Sequence, residues 1–346
     1  CSSFAHNCLT VCITRKPSCL VTRSAVVRQR KFVSRSKAPK QERIQWRHRL
    51  EFWAWRGAEW LALRLSRRAL VRLADLCGLL LYEVLRARRR VTEENLQRAF
   101  GDSFPPTKLR AIARRAYQNA VLTFFECLQS RYYGPLSLCL FKNGQGLEYL
   151  EKARGSAAVF VTAHSGNWEL FGQAVQAMGF ECDAVMKPLH NPLINAYVVA
   201  QRQAGGVRLI PTSGALKGIV TALRAGRHPV FLADQDARRD GIFVRFLGHP
   251  ASTALGPAYF AYKFRVPIYA GFCVRNEDPE RTLSFVIMPP IEPDCSAPEE
   301  VELRRLTEAH VRALEQVVRA YPESYFWLHR RWKTKPKAED LAADQE

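Results

Sequence analysis

A histidine and a carboxylate, His164 and Glu169, are separated by four residues in a segment that joins two predicted elements. Residues 157–163, directly before the histidine, are apolar and rich in β-branched and aromatic side chains, which is typical of a strand buried on both faces. Residues 168–178 carry apolar side chains at helical spacing, and Asn167 can cap that helix. His164 is therefore expected at the carboxyl end of a strand, where open α/β sheets bind their ligands.

The two side chains can meet only if the helix begins between them. On one continuous helix they would point about 140° apart, whereas a loop histidine and a carboxylate in the first helical turn can converge. Glu169 can then hold the imidazole in one tautomer while His164 takes a proton from an attacking hydroxyl, as acyl transfer requires. The alternative is a strand-end histidine bonded to a backbone carbonyl and an ordinary first-turn helix acid. For an isolated H-x4-E pattern this alternative is the more frequent one.

Further motifs follow one another along the chain and bear on this choice. They are the basic segment 88–100, residues 187–193 followed by Arg202, and residues 233–237, 241–258 and 327–333. Together with the H-x4-E segment they resemble the lipid A biosynthesis acyltransferases, the lauroyl and myristoyl transferase family within the larger H-x4-D/E glycerolipid acyltransferase group. The resemblance covers residues 46–337 and departs from the family at Gly101, Ala163 and Arg245, none of which belongs to the His/Glu pair.

The resemblance implies a membrane-associated enzyme at the cytoplasmic face of the bacterial inner membrane. It would move a fatty acyl chain from acyl carrier protein to a hydroxyl of a phosphorylated, Kdo-bearing lipid A precursor. His164 would be the base and Glu169 the residue that orients it, with no cofactor and no metal. The chain has no G-x-S-x-G elbow, and no cysteine adjoins the histidine motif, so a covalent acyl-enzyme has little support.

Two alternatives stay open. The phosphatidylinositol mannoside acyltransferases are similar over the same motifs, so the acceptor can be another glycolipid. The alternative from a different class is a non-catalytic, basic protein that binds membranes or nucleic acid. No helix-turn-helix, zinc-finger or RNP signature supports nucleic acid as a partner.

Six more residues are candidates for binding the substrate. They are Asn167, Arg202, Lys217, Asp234, Asp236 and Arg238. By the resemblance, Arg202 can hold a phosphate or orient the acyl carbonyl; alternatively, it is an exposed helix arginine. Asp234 and Asp236 follow a predicted strand and reach the carboxyl edge of the sheet, where a D-x-D pair can hold Mg²⁺ or a sugar phosphate. Bonds to loop backbone or to a neighbouring arginine agree with that spacing equally well, and acyl transfer requires no metal.

The composition calls for an acidic partner. The 346 residues include 52 Lys and Arg against 32 Asp and Glu, a formal net charge of +20. An anionic membrane surface, a phosphorylated glycolipid, an acidic carrier protein and nucleic acid all satisfy that charge. Nine of the basic residues lie within residues 1–40, which contain no acid.

Four segments are predicted along the chain. Residues 1–43 begin at Cys1 without methionine, and we interpret them as an extension that is either disordered or not native, although a transit peptide has a similar composition. Residues 44–100 are predicted to form N-terminal amphipathic helices that lie on an anionic membrane surface, cover the core, or do both. Residues 101–337 alternate strands and helices, which predicts an α/β domain with a largely parallel central sheet flanked by helices. Residues 338–346 are predicted to be a disordered tail.

Overall fold

The fold is taken from a computed structural model, which describes residues 44–133, 138–337 and 340. The predicted extension over residues 1–43, with Cys1, Cys8, Cys12 and Cys19, lies outside the described residues. So does the predicted tail, apart from Asp340. The division of the chain at residues 43, 100 and 337 stays a prediction.

Seven of the nine strands among the described residues form one sheet. The strands are β1 (Phe141–Gln145), β2 (Val159–Thr162), β3 (Cys182–Met186), β4 (Arg208–Pro211), β5 (His228–Leu232), β6 (Ile242–Phe246), β7 (His249–Thr253), β8 (Ile268–Arg275) and β9 (Leu283–Ile287). The sheet has the order β1-β9-β8-β2-β5-β3-β4. From β8 to β4 the strands run parallel, whereas β9 is antiparallel to β8 and carries β1 parallel to itself. The prediction of a largely parallel sheet is confirmed.

Helices flank the sheet, as predicted. Those described are α1 (Trp46–Ala62), α2 (Arg67–Leu79), α3 (Arg89–Phe100), α4 (Pro106–Tyr133), α5 (Leu147–Lys152), α6 (Trp168–Ala177), α7 (Pro192–Ala204), α8 (Ala215–Arg224), α9 (Gly256–Phe264) and α10 (Glu299–Ala320). Proline begins α4 and α7, where the missing N–H has no helical partner to lose. After α2 the chain continues as a π-helical segment, Leu80–Val84.

Strand β2 is buried on both faces of the sheet, as its continuous apolar sequence predicts. Phe160 packs with the apolar side of α6, whereas Val159 and Val161 pack on the opposite face with residues of α8 and α9. All four residues of the strand are buried, so the loop that follows it begins from a rigid support.

The hairpin formed by β6 and β7 was not predicted. Its strands pair antiparallel, with Phe246 opposite His249. The two connecting residues, Leu247 and Gly248, both have positive φ, 51° and 82°. Such a turn matches the twist of the flanking strands, but Asn-Gly or Asp-Gly usually forms it. Because Leu247 stands where asparagine or aspartate is usual, the sequence did not predict this turn.

Helix α1 leaves a row of aromatic side chains exposed. Trp46, Trp53 and Trp60 are 75%, 69% and 56% exposed. Other residues of α1 contact α4 and α7. Over the part of the chain that the structure describes, no helix combines the length and the hydropathy needed to cross a membrane.

Candidate active site

His164 lies two residues beyond the end of β2, and Asp234 lies two residues beyond the end of the neighbouring strand β5. These strands are parallel, with Thr162 opposite Leu232, so equal offsets bring the two side chains to one point at the carboxyl edge of the sheet. His164 Nδ1 lies 2.8 Å from Asp234 Oδ1, and the backbone N–H of His164 donates to Oδ2 at 3.1 Å. One carboxylate therefore fixes both the ring and the backbone of the histidine.

The electrostatics of this pair favour a histidine that can accept a proton at Nε2. Burial alone would raise the pKa of Asp234, but the imidazole beside it outweighs burial and the pKa is lowered. Burial alone would lower the pKa of His164, but the carboxylate outweighs burial and the pKa is raised. Because an ionised carboxylate only accepts hydrogen bonds, Nδ1 carries the proton and Nε2 keeps a lone pair.

The carboxylate bonded to His164 is therefore not the predicted one. Glu169 lies in the first turn of α6, as expected, but Arg202 of α7 binds it through two parallel hydrogen bonds. The bond from Arg202 Nε to Glu169 Oε2 measures 2.8 Å. A carboxylate prefers this charged, two-pronged donor to a single imidazole N–H. The expectation that Glu169 orients the imidazole is corrected in favour of Asp234, and a catalytic role for Glu169 stays a prediction.

An apolar cavity of about 300 Å³ adjoins this cluster. His164, Trp168, Glu169 and Arg202 all contribute to its lining. Most of the remaining lining is apolar and comes from α6 and from five strands of the sheet: Phe160, Phe171, Val175, Val230, Tyr269 and Ile287 are examples. A cavity with a proton acceptor in its lining and aliphatic or aromatic walls elsewhere suits a hydrocarbon chain that ends in a reactive group.

Asn167 is completely buried and serves the helix rather than an open binding surface. Its Oδ1 accepts from two backbone N–H groups in the first turn of α6, at 3.1 and 3.0 Å, and its Nδ2 donates to Glu126 at 2.7 Å. Burial would raise the pKa of Glu126, but Arg275 and Arg67 beside it lower that pKa to about 2. The predicted substrate-binding role of Asn167 is therefore corrected to that of the N-cap of α6.

The remaining predicted residues lie outside the lining of the cavity. The carboxylate of Asp236 accepts from Thr334 Oγ1 at 2.9 Å, and its backbone N–H donates to His329. The two carboxylates of the D-x-D pair thus have different partners. Lys217 and Arg238 are exposed, and neither lines the cavity. Binding of substrate by Lys217 and Arg238 stays a prediction.

The segment after α10 completes the site. The sequence did not predict these contacts. The backbone N–H of Phe326 donates to the carbonyl of His164 at 3.0 Å. The hydroxyl of Tyr325 donates to the carbonyl of Asp234 at 3.3 Å. This segment therefore fixes the backbone of both members of the pair. The aromatic and basic residues of the 327–333 motif were the one feature of the sequence that pointed to this segment.

Comparison with known proteins shows which family the chain resembles. A model of the bacterial lipid A biosynthesis acyltransferase family matches residues 39–334. The lipid A biosynthesis lauroyltransferase of Escherichia coli (strain K12) is 23% identical over 294 residues, 82% of this chain and 92% of that protein. The palmitoleoyltransferase of lipid A biosynthesis from the same strain is 24% identical and covers 83% of this chain and 92% of its own. A phosphatidylinositol mannoside acyltransferase of Mycobacterium tuberculosis (strain CDC 1551 / Oshkosh) is 24% identical over 86% of this chain and 93% of its own.

Proposed function

Because the chain belongs to the bacterial lipid A biosynthesis acyltransferase family, we propose that it transfers a fatty acyl chain from acyl carrier protein to a hydroxyl of a Kdo-bearing lipid A precursor. The protein is an acyltransferase of that family. One observation supports the proposed transfer of a fatty acyl chain: a histidine oriented by a buried carboxylate lines an apolar cavity of about 300 Å³. An acyl chain that fills the cavity leaves its thioester carbonyl beside the imidazole.

In the proposed reaction, His164 Nε2 takes the proton of the acceptor hydroxyl while the hydroxyl oxygen attacks the thioester carbonyl carbon. Asp234 keeps the Nδ1 proton in place and stabilises the imidazolium that forms. The tetrahedral intermediate then collapses, the C–S bond breaks, and the new C–O ester bond remains. The imidazolium returns its proton to the leaving thiolate, so no bond between the acyl group and the protein is needed.

In the proposed reaction, Arg202 supplies the cation that stabilises the intermediate. It lines the cavity together with His164, and its guanidinium is held by Glu169. Negative charge grows on the former carbonyl oxygen as the hydroxyl attacks, and a fixed cation nearby lowers the energy of that state. In this scheme Glu169 acts through Arg202.

The proposed acceptor is a lipid, so we also propose that the protein works on the anionic cytoplasmic surface of the bacterial inner membrane. The exposed tryptophans of α1 and the formal net charge of +20 support this placement. The same positive charge suits an acidic carrier protein as the acyl donor.

A phosphatidylinositol mannoside is the second acceptor to consider. The mycobacterial relative, similar over 86% of this chain, supports it. Either acceptor offers a hydroxyl on a phosphorylated glycolipid, so the same base would serve both.

In the test, the membrane-bound protein is given each acceptor together with a series of acyl carrier protein thioesters. The masses of the lipid products are then measured by mass spectrometry. We expect one added acyl mass on the Kdo-bearing acceptor with the wild type, and none with His164→Ala. His249→Ala is the control, because His249 bonds to the carbonyl of Arg98 away from the cavity. Product on the mannoside alone would establish the second acceptor. No product on either lipid from the folded protein would contradict the proposal.

A further inference from the structure

Two buried polar atoms in the lining of the cavity have no hydrogen-bond partner among the described residues. They are Thr162 Oγ1 and Gln173 Oε1. Thr162 is 5% exposed and Gln173 is 2% exposed, so bulk water does not solvate either side chain freely. Buried polar groups in folded proteins nearly always have a partner, because leaving one without a hydrogen bond is costly. Two such atoms in one ligand-sized cavity indicate a ligand that supplies the missing partners.

Both residues lie close to the site along the chain, one on β2 and the other on α6. Thr162 is the last residue of β2, two residues before His164. A strand rises about 3.3 Å per residue, which puts the two Cα atoms roughly 7 Å apart. Gln173 follows Glu169 on α6 by four residues, about one helical turn. An acyl chain would therefore meet these atoms with its first few carbons.

The hydrogen-bonding character of the two atoms selects one functional group. Gln173 Oε1 can only accept a hydrogen bond, whereas the hydroxyl of Thr162 can donate one. A hydroxyl on the ligand can donate to Gln173 and accept from Thr162, so it satisfies both. A keto oxygen satisfies only Thr162, and a methylene group satisfies neither.

We propose that the cavity takes a fatty acyl chain that carries a hydroxyl close to its carbonyl carbon, such as a 3-hydroxyacyl chain, in preference to the unsubstituted chain. This proposal rests on the proposed function, since it treats the cavity as the site of the transferred acyl chain. A hydrogen bond between uncharged groups contributes roughly three- to tenfold to such a choice, and the site offers two. The wild type should therefore favour the hydroxylated donor by about tenfold or more.

The test is a competition between 3-hydroxyacyl and unsubstituted acyl carrier protein thioesters of equal chain length, scored by the ratio of the two lipid products. Thr162→Val and Gln173→Met remove one hydrogen-bonding group each at nearly constant volume. Each variant should lower the ratio by roughly three- to tenfold. Thr307→Val is the matched control: Thr307 is fully buried, but its hydroxyl bonds to the carbonyl of Leu303 within α10. It should leave the ratio unchanged.

A parallel measurement keeps this inference separate from the proposed function. Binding of free 3-hydroxy and unsubstituted fatty acids to the same four proteins, measured by calorimetry, needs no turnover. Tighter binding of the hydroxy acid, lost in Thr162→Val or Gln173→Met, would support the inference even if no thioester reacts. Equal use and equal binding of both chains, unchanged by the substitutions, would overturn it while leaving acyl transfer intact.

Discussion

The two nitrogens of the His164 ring have different surroundings, and this difference decides which one can act as a base. Nδ1 is bonded to Asp234 at 2.8 Å, and the same carboxylate also accepts from the backbone of His164. The side-chain nitrogen of Gln235 lies 3.4 Å from Nε2, too far for a strong hydrogen bond. A substrate hydroxyl can take that place, so Nε2 is the nitrogen available for catalysis.

Asp234→Asn is expected to lower turnover by about 10²- to 10⁴-fold and to move the pH profile. The Asp234 carboxylate raises the pKa of His164 against the opposing effect of burial, so its removal lowers that pKa. The base must be neutral to accept a proton. Wild-type activity should therefore rise with pH through a value above 6.5, and the residual activity of the variant should rise at lower pH. The dependence of kcat/KM on pH measures both effects.

Asp236→Asn is the matched control for this experiment. Its carboxylate lies two residues further along the chain and bonds to Thr334. It should keep the pH profile of the wild type. An acidic limb that does not move in Asp234→Asn would contradict the assignment of Asp234 as the partner of the imidazole.

The Glu169–Arg202 pair allows the role of Glu169 to be decided by a double-mutant cycle. Arg202→Met should lower kcat by about 10²- to 10³-fold, because a fixed cation is lost at the oxyanion. If Glu169 acts through Arg202, then the single variant Glu169→Gln should have a lower kcat than the wild type. Adding Glu169→Gln to the Arg202→Met variant should then change kcat little further. Steady-state kinetics of the four proteins tests this expectation. The Glu169 charge also raises the pKa of His164, though less than Asp234 does, so a small shift of the pH profile is expected in Glu169→Gln. A shift as large as that of Asp234→Asn would instead show that Glu169 orients the imidazole.

The start of α6 depends on the buried group around Glu126. Asn167→Ala removes an N-cap, worth about 0.5–2 kcal/mol. It also removes one donor from the buried carboxylate of Glu126, worth about 1–3 kcal/mol. Chemical denaturation should show a loss of roughly 2–4 kcal/mol in the free energy of unfolding. Ser66→Ala, which removes the long 3.4 Å cap bond of α2, should cost about 1 kcal/mol or less. Equal losses in the two variants would show that Glu126 does not depend on Asn167.

The elements that build the site were predictable, whereas several of their contacts were not. The apolar runs and caps of the sequence predicted β2, β5 and α6, and these predictions placed His164 and Asp234 at the same edge of the sheet. That they are partners depends on β2 and β5 being neighbours, and local sequence does not set the order of strands. The ion pair of Glu126 with Arg275 spans 149 residues for the same reason. Periodicity reports which face of an element is buried, but it does not report what lies against that face.

The exposed tryptophans of α1 form a single row. Trp46, Trp53 and Trp60 follow one another at intervals of seven residues, about two helical turns, so they lie on one side of the helix. Trp55 and Ala58 belong to the opposite side and pack into the cluster formed by α2 and α4. Tryptophan is well suited to the boundary between lipid headgroups and acyl chains, and the positive net charge favours an anionic surface.

The combined variant Trp46→Ser/Trp53→Ser/Trp60→Ser should therefore bind anionic vesicles about tenfold or more weakly than the wild type, as measured by co-sedimentation. Its remaining binding should depend more steeply on salt, because charge is screened by ions whereas burial of tryptophan is not. Val301→Ser, which removes an apolar side chain 61% exposed on α10, is the control and should bind as the wild type does. Turnover of the variant should fall on acceptor presented in vesicles and persist on acceptor dispersed in detergent, because the cavity and His164 are untouched. Wild-type binding by the triple variant would mean that the tryptophan row faces something other than lipid, and the surface placement of the enzyme would then need another anchor.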